Sequence, residues 1–572
     1  MKKIRYKSLW TIACLTLLLG ACQKDFLQMP NISSVTTVDS VFSTTVKAQS
    51  AIAEAYRNNL GQGMLLRDAG TYWNAMIMDN LSGALNYGFS WTVAKGLVIN
   101  GFSASGSSEE MDGFVTNYTM IRKAFLVKEN IDKVTDMSAA DKAVVKAEMQ
   151  ALIAYRYGQM LIIYGGVPLV TKSFLSTDNL AIPRAPVKQV LDSVVSWCNQ
   201  AAAVLPSKWP DTWQGRMTKS ATLAIKAKAL LYAARPLFNT GTPYLDFGSN
   251  NNLICLGNAD PSRWNDAAAA NDAVITEAET NGGAQIINTG SPLDDYGNAT
   301  STPGNPEVLL AFKGDNTSFA TMNTFYNVHN WQAYGNMLTT NYLENYYKTD
   351  GTDQTWPNAT TVTPFSDYLT KMGQMEARFK ASFQAWQIDS WNNPGDNNWS
   401  YSKLFQWSSN ACALVTKFYY KAGSRSWFEF PIFRLAANYL GAAEAYNEMG
   451  QTQKALDRLN KIHQRAGLPP VTETDQTKLR AIIQREWAIE FFDENYRLHD
   501  VKHWMLPNIG NGIIGGTIRA FTFNNGTGSK SSGNTNYQDF VLYQAFWAPR
   551  EYLNPFPQSE INKGIIIQNP GY

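Results

Sequence analysis

A mostly α-helical protein, built from helix hairpins and interrupted by long aromatic loops, is what this chain of 572 residues predicts. Three observations carry that prediction. Apolar residues recur with helical spacing in a series of blocks. Two of those blocks stand back to back as an uninterrupted antiparallel pair. Between the others, Trp, Tyr, Asn and Gly displace the helical pattern for long stretches.

The first element is a leader. Lys2, Lys3, Arg5 and Lys7 precede an apolar run from Leu9 to Leu19 that is too short to remain as a membrane span. Leu19-Gly20-Ala21-Cys22 then places small residues directly before a cysteine, the arrangement of a bacterial lipoprotein signal. Cleavage after residue 21 would leave Cys22 as an acylated first residue. Two or three acyl chains, at about 0.8 kcal/mol per buried methylene, hold a protein at a membrane almost permanently. Residues 1–21 are therefore expected to be a signal peptide, 22–37 a polar lipidated stalk, and 38–572 the folded body. A membrane-tethered envelope protein whose folded body sits in water is the expectation.

Helical blocks follow near 38–60, 110–133, 138–164, 186–205, 218–238, 262–280, 431–449, 451–466 and 476–495. Ser138-Ala139-Ala140-Asp141 carries the signal of a capping box. The uninterrupted pair runs from Ile432 to Met449 and from Gln451 to Ala466. Its stripes are Ile432, Ala436, Tyr439, Leu440, Ala443 and Tyr446 on one helix, and Ala455, Leu459, Ile462 and Ala466 on the other. Gly450 supplies the turn, and Gly467-Leu468-Pro469-Pro470 stops the second helix. Small residues at Ala443 and Ala455 fit a tetratricopeptide hairpin. Weaker echoes pair Glu148–Tyr164 with Pro186–Leu205, and Thr218–Phe238 with Arg263–Glu279, the last with Ala267 and Ala270 in the small positions. The scaffold is thus expected over 38–280 and 431–495, with a loop-rich insertion at 282–430 and a C-terminal segment at 505–572.

Composition narrows the function. Of 49 basic residues, removing the four in the leader leaves 45 against 47 acidic ones, a balance near −2. Such a surface has no reason to seek nucleic acid. Charged residues make up only 17% while aromatics reach 12%, and many aromatics lie in loops. Cys198, Cys255 and Cys412 show no metal-ligand spacing and can form at most one disulfide.

A sugar ring offers an apolar C–H face and a rim of hydroxyls, so it suits an exposed aromatic platform beside short polar side chains. Three loops have that make-up. The first holds Trp73, Asn74, Asp79, Asn80, Tyr87 and Trp91. The second holds Phe325, Tyr326, Trp331 and Tyr334 with Asn327 and Asn330. The third holds Trp391, Trp399, Tyr401 and Trp407 with Asn392, Asn393, Asp396 and Asn398.

Other constellations read as scaffold. His499 and His503 share a helical face but lack a third zinc ligand. Gly510-Asn511-Gly512-Ile513-Ile514-Gly515 matches a dinucleotide fingerprint in letters only; the next segment, Thr517 to Phe523, reads as strand, so the run is a turn. Glu486 and Glu490 have the spacing of a carboxylate pair, yet Arg485 and Arg497 nearby suggest an ion-paired face. No metal, cofactor or catalytic residue is expected.

Several separated motifs together resemble the SusD/RagB family of outer-membrane lipoproteins. They are Cys22-Gln23-Lys24-Asp25-Phe26-Leu27, Tyr164-Gly165-Gly166-Val167-Pro168-Leu169-Val170, Arg216-Met217-Thr218-Lys219, Phe433-Arg434-Leu435, Arg465-Ala466-Gly467-Leu468, and the ending Gln568-Asn569-Pro570-Gly571-Tyr572. The resemblance spans nearly the whole chain. It implies a superhelical scaffold of tetratricopeptide-like hairpins with a loop-rich ligand face, and no catalysis. It further implies capture of glycan at the cell surface for a TonB-dependent, SusC-like transporter. Part of the family is associated with peptide import, so a peptide-binding or protein-docking scaffold is the alternative, and a secreted glycosidase a more distant one. Because early and mid-chain loops build the site in similar members, the resemblance favours the first two loops.

Overall fold

The computed structural model describes residues 37–61, 77–86, 93–105, 113–175, 177–314, 337–392, 410–418, 428–524 and 535–572. Helix α1 (Thr45–Gly61) is followed by short helices α2 (Ile77–Leu81) and α3 (Val93–Asn100). Long helices then come in sequence: α4 (Phe114–Asn130), α5 (Ala139–Tyr164), α6 (Val187–Ala202), α7 (Lys219–Ala234) and α8 (Ser262–Glu277). Ser138 caps α5 by accepting from the Asp141 backbone N–H at 3.1 Å. Gly165, with φ 78°, ends it where a Cβ would lie 2.5 Å from the Leu253 carbonyl oxygen.

These helices pack in chain order: α1 on α4, α4 on α5, α5 on α6, α6 on α7 and α7 on α8. Both interrupted hairpins expected from the sequence are therefore present. The next layer over α8 is α12 (Leu435–Glu448), which in turn packs on α13 (Thr452–His463) and α14 (Gln476–Glu490). Small residues set the spacing: Ala267, Ala443 and Ala455 are fully buried. A Cβ on Gly441 would lie 2.8 Å from the Asn271 side chain. Gly450 takes φ 70° in the hairpin turn, and Gly467 takes φ 78° after α13.

The expected block near 38–60 breaks between Val41 and Thr45, and two later boundaries differ from expectation for tertiary reasons. Ile432, Phe433 and Arg434 belong to a strand, and α12 starts only at Leu435. The reason is cross-chain pairing: β7 (Phe428–Arg434) runs antiparallel to β2 (Val308–Gly314), with Phe430 opposite Phe312. Those ladder bonds satisfy backbone groups that a longer helix would have used. The block near 476–495 likewise stops at Glu490, since Asp493 and Asn495 take positive φ before α15 (Arg497–Trp504) resumes.

Residues 282–430 leave the layered helices after α8 and return at β7. Among their described elements are α9 (Pro292–Ser301), α10 (Phe365–Gly373), α11 (Ala377–Ser382) and short strands β3 (Met337–Leu338), β4 (Thr363–Pro364), β5 (Phe383–Gln384) and β6 (Leu414–Val415). With β1 (Leu85–Asn86), the strands β3, β6 and β5 form one antiparallel sheet in the order β1-β3-β6-β5. A hairpin of β8 (Gly516–Asn524) and β9 (Asn536–Ala545) pairs with β4 at its edge. The strand expected at Thr517–Phe523 is therefore β8, and the glycine run before it is a turn closed by Gly512 N–H to Gly515 carbonyl at 2.8 Å.

The insertion shares a second core, rich in rings, with the C-terminal hairpin: Tyr346, Tyr368, Phe379 and Phe383 are buried together with Phe521 and Tyr537. A buried charge cluster joins it to the helices. Arg434 at the end of β7 donates to Glu307 at 2.7 Å, to Glu490 at 2.9 Å and to Glu494 at 2.8 Å. Arg378 holds Glu376 at 2.8 Å and Glu486 at 2.5 Å, while Arg465 reaches Glu307 and Glu490. Lys417 holds Glu494 at 2.7 Å. Glu486 and Glu490 are indeed ion-paired, but with Arg378, Arg434 and Arg465 rather than Arg485 and Arg497. Arg485 instead stacks 3.5 Å over the Tyr347 ring and pairs with Asp353.

Cys198, Cys255 and Cys412 are free and buried. Among the described residues no helix is long and apolar enough to cross a membrane.

Candidate functional site

The expected ligand loops attach to one small piece of structure. In the four-stranded sheet, Asn86 of β1 is the register partner of Met337 of β3. Tyr87 follows the first residue directly, and Tyr334 precedes the second by three positions. Gln384 of β5 pairs with Leu414 of β6, and these strands flank the third aromatic stretch in the chain. The sheet thus gathers one end of each of the first two stretches and both ends of the third, although β1 lies far upstream of its partner strands in sequence. Leu85, Met337, Leu338, Phe383 and Leu414 are all buried, and since Met337 and Leu338 are consecutive, the sheet is covered on both faces. Gly83, with φ 76°, makes the turn into β1, where a Cβ would lie 2.8 Å from the Ile513 carbonyl oxygen.

Cys22, Trp73, Asn74, Tyr87, Trp91, Tyr326, Trp331 and Tyr334 lie outside the described residues. Asp79 and Asn80 are described, and both are buried in α2, not on an open loop. Burial raises the Asp79 carboxyl to about 6, against the pull of its bonds from Asp493. Its Oδ1 accepts the Asp493 backbone N–H at 3.3 Å, which supports the positive-φ turn between α14 and α15. From the third loop, Trp391 lies flat on α9, where a Cβ on Gly297 would be 2.4 Å from its ring, and donates to Asp294 at 2.9 Å. That ring is a packing residue. The α2 pair escapes sequence reasoning because Asp and Asn in an aromatic neighbourhood look like loop residues until a tertiary partner is known.

Lys95 carries no signal in the sequence, where it is one lysine on a short helix. In the fold its Nζ donates to Asn86 Oδ1 at 2.8 Å and sits 3.2 Å from the Tyr543 ring centroid. Burial lowers it to about 7, so this cation at the root of the first loop titrates near neutrality.

His499 and His503 are buried, and His503 packs edge-on against Tyr232 of α7. The His503 Nε2–H donates to the Ile162 carbonyl at 2.9 Å, and burial lowers its pKa to about 3. The Glu486 and Glu490 carboxylates are fully enclosed and engaged by guanidinium groups, as an ion-paired scaffold.

Two family models cover most of the chain. Residues 306–572 match the SusD family, and residues 35–231 match a family described as starch-binding and associating with the outer membrane. The chain belongs to the SusD/RagB family. A curated relative, SusD-like protein P38 of Formosa agariphila, is 24% identical over 88% of this chain and 92% of its own length. A SusD-like protein from Bacteroides fragilis superposes with a TM-score of 0.73 at 22% identity, covering 93% of this chain and 98% of that one. A laminarin-binding SusD-like protein superposes with a TM-score of 0.57 at 16% identity, covering 93% of this chain and all (100%) of that one. At such identities these structures establish the shared, mostly helical fold.

Proposed function

We propose that this SusD-family chain captures oligosaccharide at the cell surface and delivers it to a TonB-dependent, SusC-like transporter. One observation carries the reading: a single sheet holds the roots of three loops rich in Trp, Tyr and Asn. A laminarin-binding relative of the same fold and the starch-binding description of the matched family support a glycan as cargo. The family description also supports association with the outer membrane, to which acylated Cys22 would tether the body. The reading assigns no turnover to the chain.

Trp73, Trp91, Trp331 and Tyr326 would supply platforms for sugar rings, with Asn74, Tyr87 and Tyr334 as hydrogen-bonding neighbours. Each stacked ring is worth about 0.5–1.5 kcal/mol beyond its area, by analogy with aromatic pairs. Affinity electrophoresis against a polysaccharide panel, with Trp73→Ala, Trp91→Ala and Trp331→Ala, tests the assignment. A several-fold loss in these variants is expected. Unchanged retention in all three overturns the site, and retention of the wild type by no polysaccharide, with co-purifying peptides, overturns the cargo. Incorporation of labelled palmitate, lost in Cys22→Ala, checks the anchor.

A further inference from the structure

A second aromatic surface lies away from the sheet, on the connection between α6 and α7. Arg216 is held there by a buried carboxylate: its Nε donates to Glu148 Oε1 at 2.6 Å, and Nη2 grips the other oxygen. Tyr56 of α1 donates to the same carboxylate at 2.5 Å and accepts the Met217 backbone N–H at 2.9 Å. The fixed guanidinium then lies under two rings, 4.5 Å from the Trp209 centroid and 4.9 Å from that of Trp213. Trp209 is pinned further by donation from Nε1 to the Met217 carbonyl at 2.8 Å. Gly215 lets this loop lie against β2, since a Cβ there would stand 3.2 Å from the Lys313 side chain.

Trp213 is the outlier in this arrangement. It is held from one side, yet 43% of its surface is exposed, a large apolar area to leave in water. It borders two hollows of about 520 and 500 Å³, each in the size range of ligand sites. The first lies between α1 and β2, and Arg57 on its rim has no ion pair among the described residues. Gln49 lines both hollows, and Gln214 lines the first. A rigid ring, amide side chains and an uncommitted guanidinium donor are the chemistry that recognises a pyranose: C–H face on the indole, hydroxyls on the rim. The cleft also borders the start of both favoured loops in the chain, because α1 ends at Gly61 and β2 at Gly314.

The geometry points to an accessory glycan subsite in this cleft, with Trp213 as platform and Arg57 as hydroxyl donor, engaging a distal segment of a long oligosaccharide. This inference rests on the proposed function, and its test separates the two. Gels cast with starch, laminarin, xylan, pectin and alginate identify the polymer that retains the wild type. Titrations with that polymer and with its disaccharide then compare Trp213→Ala, Arg57→Ala and Trp331→Ala. Both new positions are exposed, so unchanged thermal melting is expected of their variants.

Trp213→Ala should weaken the polymer roughly three- to tenfold and leave the disaccharide unchanged, with Arg57→Ala a smaller effect in the same sense. Trp331→Ala should weaken both ligands. Polymer affinity unchanged in Trp213→Ala overturns the accessory subsite alone. Equal losses for polymer and disaccharide in that variant also overturn it, by making Trp213 part of the primary site. A wild type retained by none of the five polymers overturns the subsite together with the function on which it rests.

Discussion

The layered helices and the insertion are held by different physics. Along the helices, neighbours in sequence are neighbours in space, and small residues such as Ala267, Gly441 and Ala443 let backbones approach closely. The insertion departs after α8 and returns before α12, two helices that nevertheless pack on each other. Its return is secured by rings and by guanidinium–carboxylate contacts that link residues far apart in sequence. Close packing needs only local shape. Joining distant segments in one register needs directional contacts, and buried forked arginines supply them. The loops that would bind ligand are thereby attached to a rigid base without belonging to the helical repeat.

Breaking the charge cluster should give the largest effect. Arg434→Met takes a guanidinium from Glu307, Glu490 and Glu494 at once, leaving them to Arg465, Arg378 and Lys417, and removing one side of a buried ion pair costs about 3–5 kcal/mol. Urea unfolding should report that loss, and limited proteolysis should cut within 282–430 before the helices. Protection of the insertion equal to wild type would show that its aromatic core suffices.

The helical side has a different pH response to test. His503 is buried and neutral, with its pKa lowered from the ordinary 6.5 to about 3. A base whose folded pKa lies below its unfolded one contributes full stability above pH 6.5 and loses it as pH falls toward the folded value. At about 1.4 kcal/mol per unit, the loss by pH 4 is up to roughly 3 kcal/mol. Thermal melts of the wild type and His503→Gln should converge as pH drops; a constant gap refutes the linkage.

Overpacking the helix contact is expected to matter less. Gly441→Leu drives a side chain into Asn271 and should cost about 1–3 kcal/mol, with proteolysis now favouring the helices over the insertion. The smallest effect is local. Ser138→Ala removes the cap on α5 and should lower stability by about 1 kcal/mol, with the binding of any glycan unchanged.

Legibility in the sequence divides along the same line. The cap at Ser138, the hairpin turn at Gly450 and the pairing of α5 with α6 and of α7 with α8 are legible because each depends on spacing within a few residues or on stripes along one helix. The Glu486–Glu490 face is legible as ion-paired, but its partners are not: Arg378, Arg434 and Arg465 bond to it from 25 to 112 positions away, and nothing local selects them over Arg485. Asp79 and Asn80 fail as loop residues for the same reason, since their burial comes from a distant turn. Trp209 and Trp213 carry a signal, two aromatics with Pro and Gly in a short connection, but it is a faint one beside the longer aromatic stretches.

By itself the amino-acid sequence determined the helical repeat, the family and the composition of the loops, because propensity, capping and periodicity act over one or two turns of chain. Tertiary structure alone decided which carboxylates are neutralised by which arginines, and that three remote loops share one four-stranded base. Those outcomes depend on which distant segments meet, a choice made by long-range packing and by the high free energy of an unpaired charge away from water.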